Sequence, residues 1–186
     1  MRENKILILD YLPNGYPGMK KIEPIAQTIG YNFTLLEISP KTEVKVGEVV
    51  EIENKEKIRY IRRKLKEKDL TNFAKNNLPE MIKKIINERE EYFVNFFNKA
   101  GRITIRMHQL ELIPSLGKKH VQVILKEKKK KPFQSFEDLK KRVGITVEIE
   151  EIIARRIIKE LGGKEKYNLF VPYFPTPTSS RRNLIT

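Results

Sequence analysis

The chain has 186 residues, 39% of them apolar, enough for one ordinary domain or two small ones, and two small cores are the expectation. Its 38 Lys and Arg against 24 Asp and Glu give a net charge of +14, which favours polyanionic partners through phosphate neutralisation and counterion release. The absence of cysteine excludes disulfides, thiolate metal sites and cysteine nucleophiles, and the four apolar residues from Ile6 to Leu9 are too few for a signal-peptide core or a membrane span.

In chain order, the apolar, β-prone run K-I-L-I-L at 5–9 predicts a strand, which the Pro- and Gly-rich stretch 10–18 breaks into a long loop. Further β-rich runs occupy 25–29, 32–38 and 46–53, and 57–62 adds a fifth. Four or five short strands within residues 1–68, with no helix between them, predict a small closed barrel or sandwich. Over 78–97 the apolar period lengthens to three and four (Leu78, Met81, Ile82, Ile85, Ile86, Phe93, Phe96, Phe97), which predicts one connecting helix within 69–100. Pro79 suits its first turn and Gly101 its end. Four more helices are expected, near 105–113, 118–128, 136–142 and 148–161, with Ser135 capping the third and Gly162 ending the last. Residues 167–174 are apolar enough to dock, whereas 176–186 are polar, Pro-broken and expected to be mobile. The chain is thus expected to be α+β, with an all-α C-terminal unit over 101–163 and an extension over 164–186.

The charge is uneven: residues 1–68 carry +4, residues 69–100 carry none and residues 101–186 carry +10, so a nucleic-acid site is expected mainly in the last third. The sharpest local pattern is 110–125 (L-E-L-I-P-S-L-G-K-K-H-V-Q-V-I-L), an apolar helix end, a tight bend and an amphipathic helix opening on two lysines. It resembles a helix-hairpin-helix motif, which implies backbone N–H groups at the helix start aimed at a phosphate. Gly117 matches the second hairpin glycine, Lys118 and Lys119 the basic positions, and Leu116 the buried residue between the glycines. Ser115 replaces the first glycine, with a hydroxyl able to bond a phosphate oxygen, and His120 follows the lysines. A plain αα-hairpin with solvated lysines is the other reading of the segment. The stretch 132–143 (P-F-Q-S-F-E-D-L-K-K-R-V) resembles the lead into the second unit of a tandem helix-hairpin-helix domain, where Arg155, Arg156 and Lys159 would add charge. Lys128, Lys129, Lys130 and Lys131 close a run (K-E-K-K-K-K, 126–131) that is either a solvated face or a phosphate track.

The N-terminal half resembles an oligonucleotide-binding barrel, in which aromatics stack bases over a basic groove; the candidates are Tyr11, Tyr16, Tyr31, Phe33 and Tyr60 with Arg59, Arg62 and Arg63. The same aromatics at strand spacing also suit a barrel core. Catalytic patterns are wanting. The two histidines, His108 and His120, have no carboxylate cluster at metal-ligand spacing, and residues 14–21 lack the Gly-Lys-Ser/Thr ending of a phosphate-binding loop. No enzyme, metal or cofactor is expected.

Over residues 5–171 the chain resembles the archaeal family called domain of unknown function 655, on 10–17 (D-Y-L-P-N-G-Y-P), 33–37 (F-T-L-L-E), 108–120 (H-Q-L-E-L-I-P-S-L-G-K-K-H) and 131–139 (K-P-F-Q-S-F-E-D-L). That resemblance implies an N-terminal oligonucleotide-binding-like barrel, a C-terminal tandem helix-hairpin-helix and nucleic-acid binding, and no reaction is assigned to the family. The expectation is a cytoplasmic, non-enzymatic protein holding nucleic-acid backbone without reading sequence, RNA being favoured over DNA. The alternative is an adaptor docking ribosomal or transcription proteins.

Overall fold

A computed structural model describes residues 3–172. Five strands, β1 (Lys5–Leu12), β2 (Ile25–Gly30), β3 (Leu35–Pro40), β4 (Val49–Glu51) and β5 (Ile58–Lys64), form an antiparallel sheet in the order β4-β1-β2-β3-β5. All five fall on the β-rich runs of the sequence, with β1 extending through Asp10, Tyr11 and Leu12 into the stretch expected to be loop. Register shifts in β1 at Ile8/Asp10 and in β5 opposite Glu37/Ile38 and Ser39/Pro40 add the local twist that curls the sheet. It makes half a barrel: β4 and β5 remain its two edges, so the expected closure is not formed among the described strands.

The connecting segment is two helices, α1 (Asn72–Glu88) and α2 (Glu90–Lys99), broken at Arg89. The Arg89 guanidinium donates to the Tyr31 carbonyl and lies over the Tyr92 ring, 4.3 Å from its centroid, fixing the break against the sheet. Helix α1 starts seven residues before Pro79, so the proline is interior and removes one ladder bond. Anchorage of the first turn offsets that loss. Thr71 Oγ1 accepts from the Ala74 N–H (3.0 Å) and donates to Asp10 (2.6 Å), while the Thr71 N–H reaches Gln27 Oε1 (2.9 Å). The buried stripe Ala74, Leu78, Ile82, Ile85, Ile86 lies on the core, each large side chain contributing about 1.5–3 kcal/mol by burial.

The largest departure from expectation is at 102–112. In place of a helix near 105–113 the chain forms a hairpin, β6 (Arg102–Thr104) with β7 (Met107–His108), then a single 3-10 turn, Gln109–Leu112. Its β-branched tip, Ile103-Thr104-Ile105, favours extended backbone over helix. The last three helices, α3 (Lys118–Lys130), α4 (Phe136–Val143) and α5 (Ile149–Leu161), follow the expectation closely. Ser135 caps α4 by accepting from the Asp138 N–H at 3.0 Å, and Gly144, at φ 75°, ends it.

Buried side chains form two clusters, but they do not divide at the expected boundary. One lies inside the curled sheet, around Ile6, Ile8, Leu36, Ile38 and Val50. The other runs without interruption from Leu7 and Leu9 through α1 and α2 to α5 and Phe170. The expected docking of the stretch after α5 is realised as far as Val171: Phe170 is buried, edge-on to Phe93 and Phe96 at 5.4 and 4.9 Å. Residues 173–186 lie outside the described residues. Among the described residues no helix is long and apolar enough to cross a membrane.

Candidate nucleic-acid interface

The expected barrel-side site does not assemble. Phe33 is wholly buried on Phe93, its backbone in the left-handed region at φ 62°, so it is core and not a stacking platform. Tyr31 donates to Glu88 at 2.5 Å, with burial first and that carboxylate second pushing its pKa up. Tyr11 is half-buried against the sheet cluster. Tyr16 donates to Glu37 (2.7 Å) and accepts from Gln27 (2.7 Å), in a row where Gln27 and Glu37 face each other across β2 and β3. Arg62 is bound by Glu23 and Glu37, Arg63 by Glu37, and Tyr60 by Glu23. Two carboxylates therefore pair with two of the three arginines expected to line a groove, and among the described residues Arg59 is the one of the three exposed without an ion pair.

Arg156 is also corrected. It is 3% exposed, donates to Glu160 (2.8 Å), Glu165 (2.8 Å) and the carbonyls of Leu112 and Tyr167, and so fastens the chain end instead of facing solvent. Arg155 is exposed but paired with Glu151 at 3.2 Å.

The bend before α3 is built differently from the motif and leaves its groups outward. Ile113 to Leu116 form a turn closed by the Leu116 N–H on the Ile113 carbonyl (3.3 Å), with Pro114 second and Ser115 third at φ 66°. The third position of such a turn needs positive φ and usually carries glycine, so Ser115 occupies the strained place that the first hairpin glycine would fill. Ser115→Gly relieves that strain at the expense of a more flexible unfolded chain, and stability is expected to rise by about 0.5 kcal/mol in urea denaturation. Gly117, by contrast, has an ordinary φ of −78°, and a Cβ there would meet nothing within 4 Å. Neither its backbone nor its packing demands glycine, so the residue leaves open space directly at the helix start.

Helix α3 begins with no side-chain cap. The first intrahelical bond goes from the Val121 N–H to the Gly117 carbonyl, which leaves the N–H groups of Lys118, Lys119 and His120 for an external acceptor. Lys118 and Lys119 are exposed and form no ion pair among the described residues; His120 is half-buried. Farther along, Lys126, Lys129 and Lys131 are exposed and unpaired among the described residues. Lys118, Gln122, Lys126 and Lys129 fall on one helix face at spacings of three and four, a basic stripe along α3. The rest of the lysine run is committed elsewhere. Lys130 pairs with Glu127 (2.6 Å), and Lys128 donates to the Ala100 carbonyl (2.9 Å), where burial lowers its pKa.

The hairpin supplies what the sequence reading missed. Arg102, Ile105, Arg106 and Met107 face Lys118, Gln122 and Leu125 across a groove of about 220 Å³, with Glu111 its one acidic wall residue. The signal was the β-branched pair flanking Thr104, overridden by apolar positions (Met107, Leu110) that also fit a helical period.

His108 holds the hairpin to the 3-10 turn: its Nδ1 accepts from the Leu110 N–H at 3.2 Å, which requires neutral imidazole. Burial, with Lys128 second, holds its pKa below the ordinary 6.5. Above that value both folded and unfolded chains carry the neutral ring, and as pH falls below it the unfolded chain takes the proton first. Thermal midpoints should therefore drop as the pH is taken below 6.5, and His108→Asn, which keeps an acceptor without a titrating ring, should show a smaller drop.

The arrangement sets unshared N–H donors beside unpaired ammonium groups; among the described residues no group of three His, Asp or Glu could hold a metal ion. Comparison with known proteins places the architecture in a wider set. The sequence model of a family described as protein of unknown function (DUF655) matches residues 2–172. Uncharacterized protein MJ0038 of Methanocaldococcus jannaschii is 42% identical over 178 residues, 92% of this chain and 81% of that protein. A crystal structure of Af1531 from Archaeoglobus fulgidus, described under the same family, is similar at a TM-score of 0.84 and 42% identity, covering 91% of this chain and all of that one.

Proposed function

The chain belongs to the DUF655 family of proteins of unknown function, and since that description names no function, we propose from the geometry that it is a non-enzymatic, cytoplasmic protein that binds nucleic-acid backbone without reading sequence. The observation that carries this reading is the uncapped start of α3, three unshared N–H groups beside two unpaired lysines and a glycine with open space over it. A helix start concentrates partial positive charge, and adjacent ammonium groups add full charge, so a phosphate gains from both. We read the bend and α3 as a helix-hairpin-helix reduced on one side, with the 3-10 turn standing where the first helix would be. We read α4 and α5 as its packing partner, and the curled sheet as oligonucleotide-binding-like.

Backbone binding fits the stripe of Lys118, Lys126 and Lys129, because a sequence reader needs side chains on base edges and these sit where phosphates would track. RNA is slightly favoured over DNA on the oligonucleotide-binding-like reading of the sheet alone. Binding to structured RNA, single strands and duplex DNA, each measured at several salt concentrations, tests both parts: a steep fall of affinity with salt reports phosphate contacts, and the substrate order reports the partner. A flat salt response refutes the proposal. The adaptor reading draws on Ile22, Tyr60 and Ile61, exposed apolar groups at or near the β5 edge, and expects capture of ribosomal or transcription proteins to survive charge reversal at Lys118 and Lys119.

A further inference from the structure

Ile105, at the apex of the β6–β7 hairpin, is 90% exposed, the most exposed large apolar side chain among the described residues. Single exposed apolar residues are ordinary on protein surfaces. This one is held. The Arg102 guanidinium donates to the Ile105 carbonyl at 3.0 Å, and the Arg106 N–H reaches Thr104 Oγ1 at 3.3 Å. The hairpin base is clamped twice, by the Gly101 N–H on Gln109 Oε1 and the Gln109 N–H on the Gly101 carbonyl, both at 2.9 Å. A short ribbon thus presents one aliphatic side chain on a fixed backbone, with Arg102 and Arg106 beside it and Lys118 across the groove.

We infer that Ile105 is a wedge that enters between stacked bases of a helical nucleic acid while the flanking arginines and Lys118 hold the phosphates on either side. The inference rests on the backbone-binding reading above and adds the feature recognised, a stacked base step. A lone isoleucine ringed by cations makes a poor protein or lipid anchor, since such surfaces need contiguous apolar area of a few hundred Å². Prising open one base step needs only one side chain of this size, and charged neighbours help it by meeting the phosphates that the opened step spreads apart.

The test uses the full chain with short DNA and RNA duplexes carrying 2-aminopurine, whose fluorescence rises when unstacked. The wild-type protein should raise the signal at saturation. Ile105→Ala should lose most of that rise with affinity down about three- to tenfold, the share of one buried aliphatic side chain, whereas Ile105→Leu should keep it. Because the side chain is so exposed, its removal leaves the core intact, which a matching thermal melt of the variant would verify. Saturable, salt-sensitive binding with no fluorescence rise, or a rise that Ile105→Ala retains, overturns the wedge and leaves the backbone-binding reading standing. No binding to either duplex or to the corresponding single strands defeats both. Capture by anionic vesicles that Ile105→Ala abolishes, with no unstacking, overturns the wedge in favour of a lipid surface.

Discussion

Glu160→Gln should lower the unfolding free energy by about 3 kcal/mol, the scale of breaking one partner out of a buried charge pair. The Glu160 carboxylate, buried in the last turn of α5, accepts from Arg156 Nε (2.8 Å) and from the N–H groups of Leu169 (2.7 Å), Phe170 (2.9 Å) and Val171 (2.8 Å). The amide replacement keeps the shape but turns an N–H toward donors and leaves Arg156 with Glu165 as its remaining carboxylate. Four bonds to one anion fix the segment that carries Phe170 into the aromatic cluster with Phe93 and Phe96. In a chain of this length such a loss corresponds to a thermal midpoint lower by about 6–12 °C. Calorimetry of the variant checks it. Glu165→Gln, at the half-exposed end of the same network, should cost well under half as much. Equal losses from the two changes would show that Arg156, and not the carboxylate facing three backbone donors, is the centre of the clamp.

The second large effect is on binding. Lys118→Glu combined with Lys119→Glu places two carboxylates beside the uncapped N–H groups of α3, and nucleic-acid affinity should fall more than tenfold, about 1.4 kcal/mol or more. The slope of log affinity against log salt should flatten by about one to two units, since each lost phosphate contact releases about one counterion fewer. The fold should not suffer: both side chains are exposed and unpaired among the described residues, and acidic groups in the first turn favour a helix. Unchanged melting with lost binding separates a phosphate site from a structural one. If affinity and slope stay as in the wild type, the phosphates are held elsewhere.

The elements legible in the sequence were those with a single clear period. The five strands are short β-branched runs between turn residues, and α3, α4 and α5 carry caps or apolar spacings that leave little choice. Helix α1 begins earlier than its apolar stripe suggests, because its first turn is held by Thr71, Gln27 and Asp10, contacts between residues up to 61 apart that no local pattern displays. The hairpin at 102–108 was hidden for the opposite reason: its two strands are so short that the spacing of Met107 and Leu110 looked helical. At the candidate site the sequence pointed to the bend before α3 and to Lys118 and Lys119, which the structure leaves exposed and unpaired among the described residues. It could not reveal that the first turns of α3 face Arg102, Arg106 and Ile105 across a groove. The barrel-side candidates failed on charge pairing. Arg62 and Arg63 read as a basic groove until Glu23 and Glu37, from distant strands and loops, are brought against them.

The most direct test is an amide NMR titration of the wild-type chain with a short structured RNA at low salt. If phosphate sits on the open end of α3, the amide signals of Lys118, Lys119 and His120 shift first and furthest, followed by those of Ser115 and the hairpin from Arg102 to Arg106. Shifts confined to the β5 face around Arg59 and Tyr60, with 115–120 unmoved, would contradict the account.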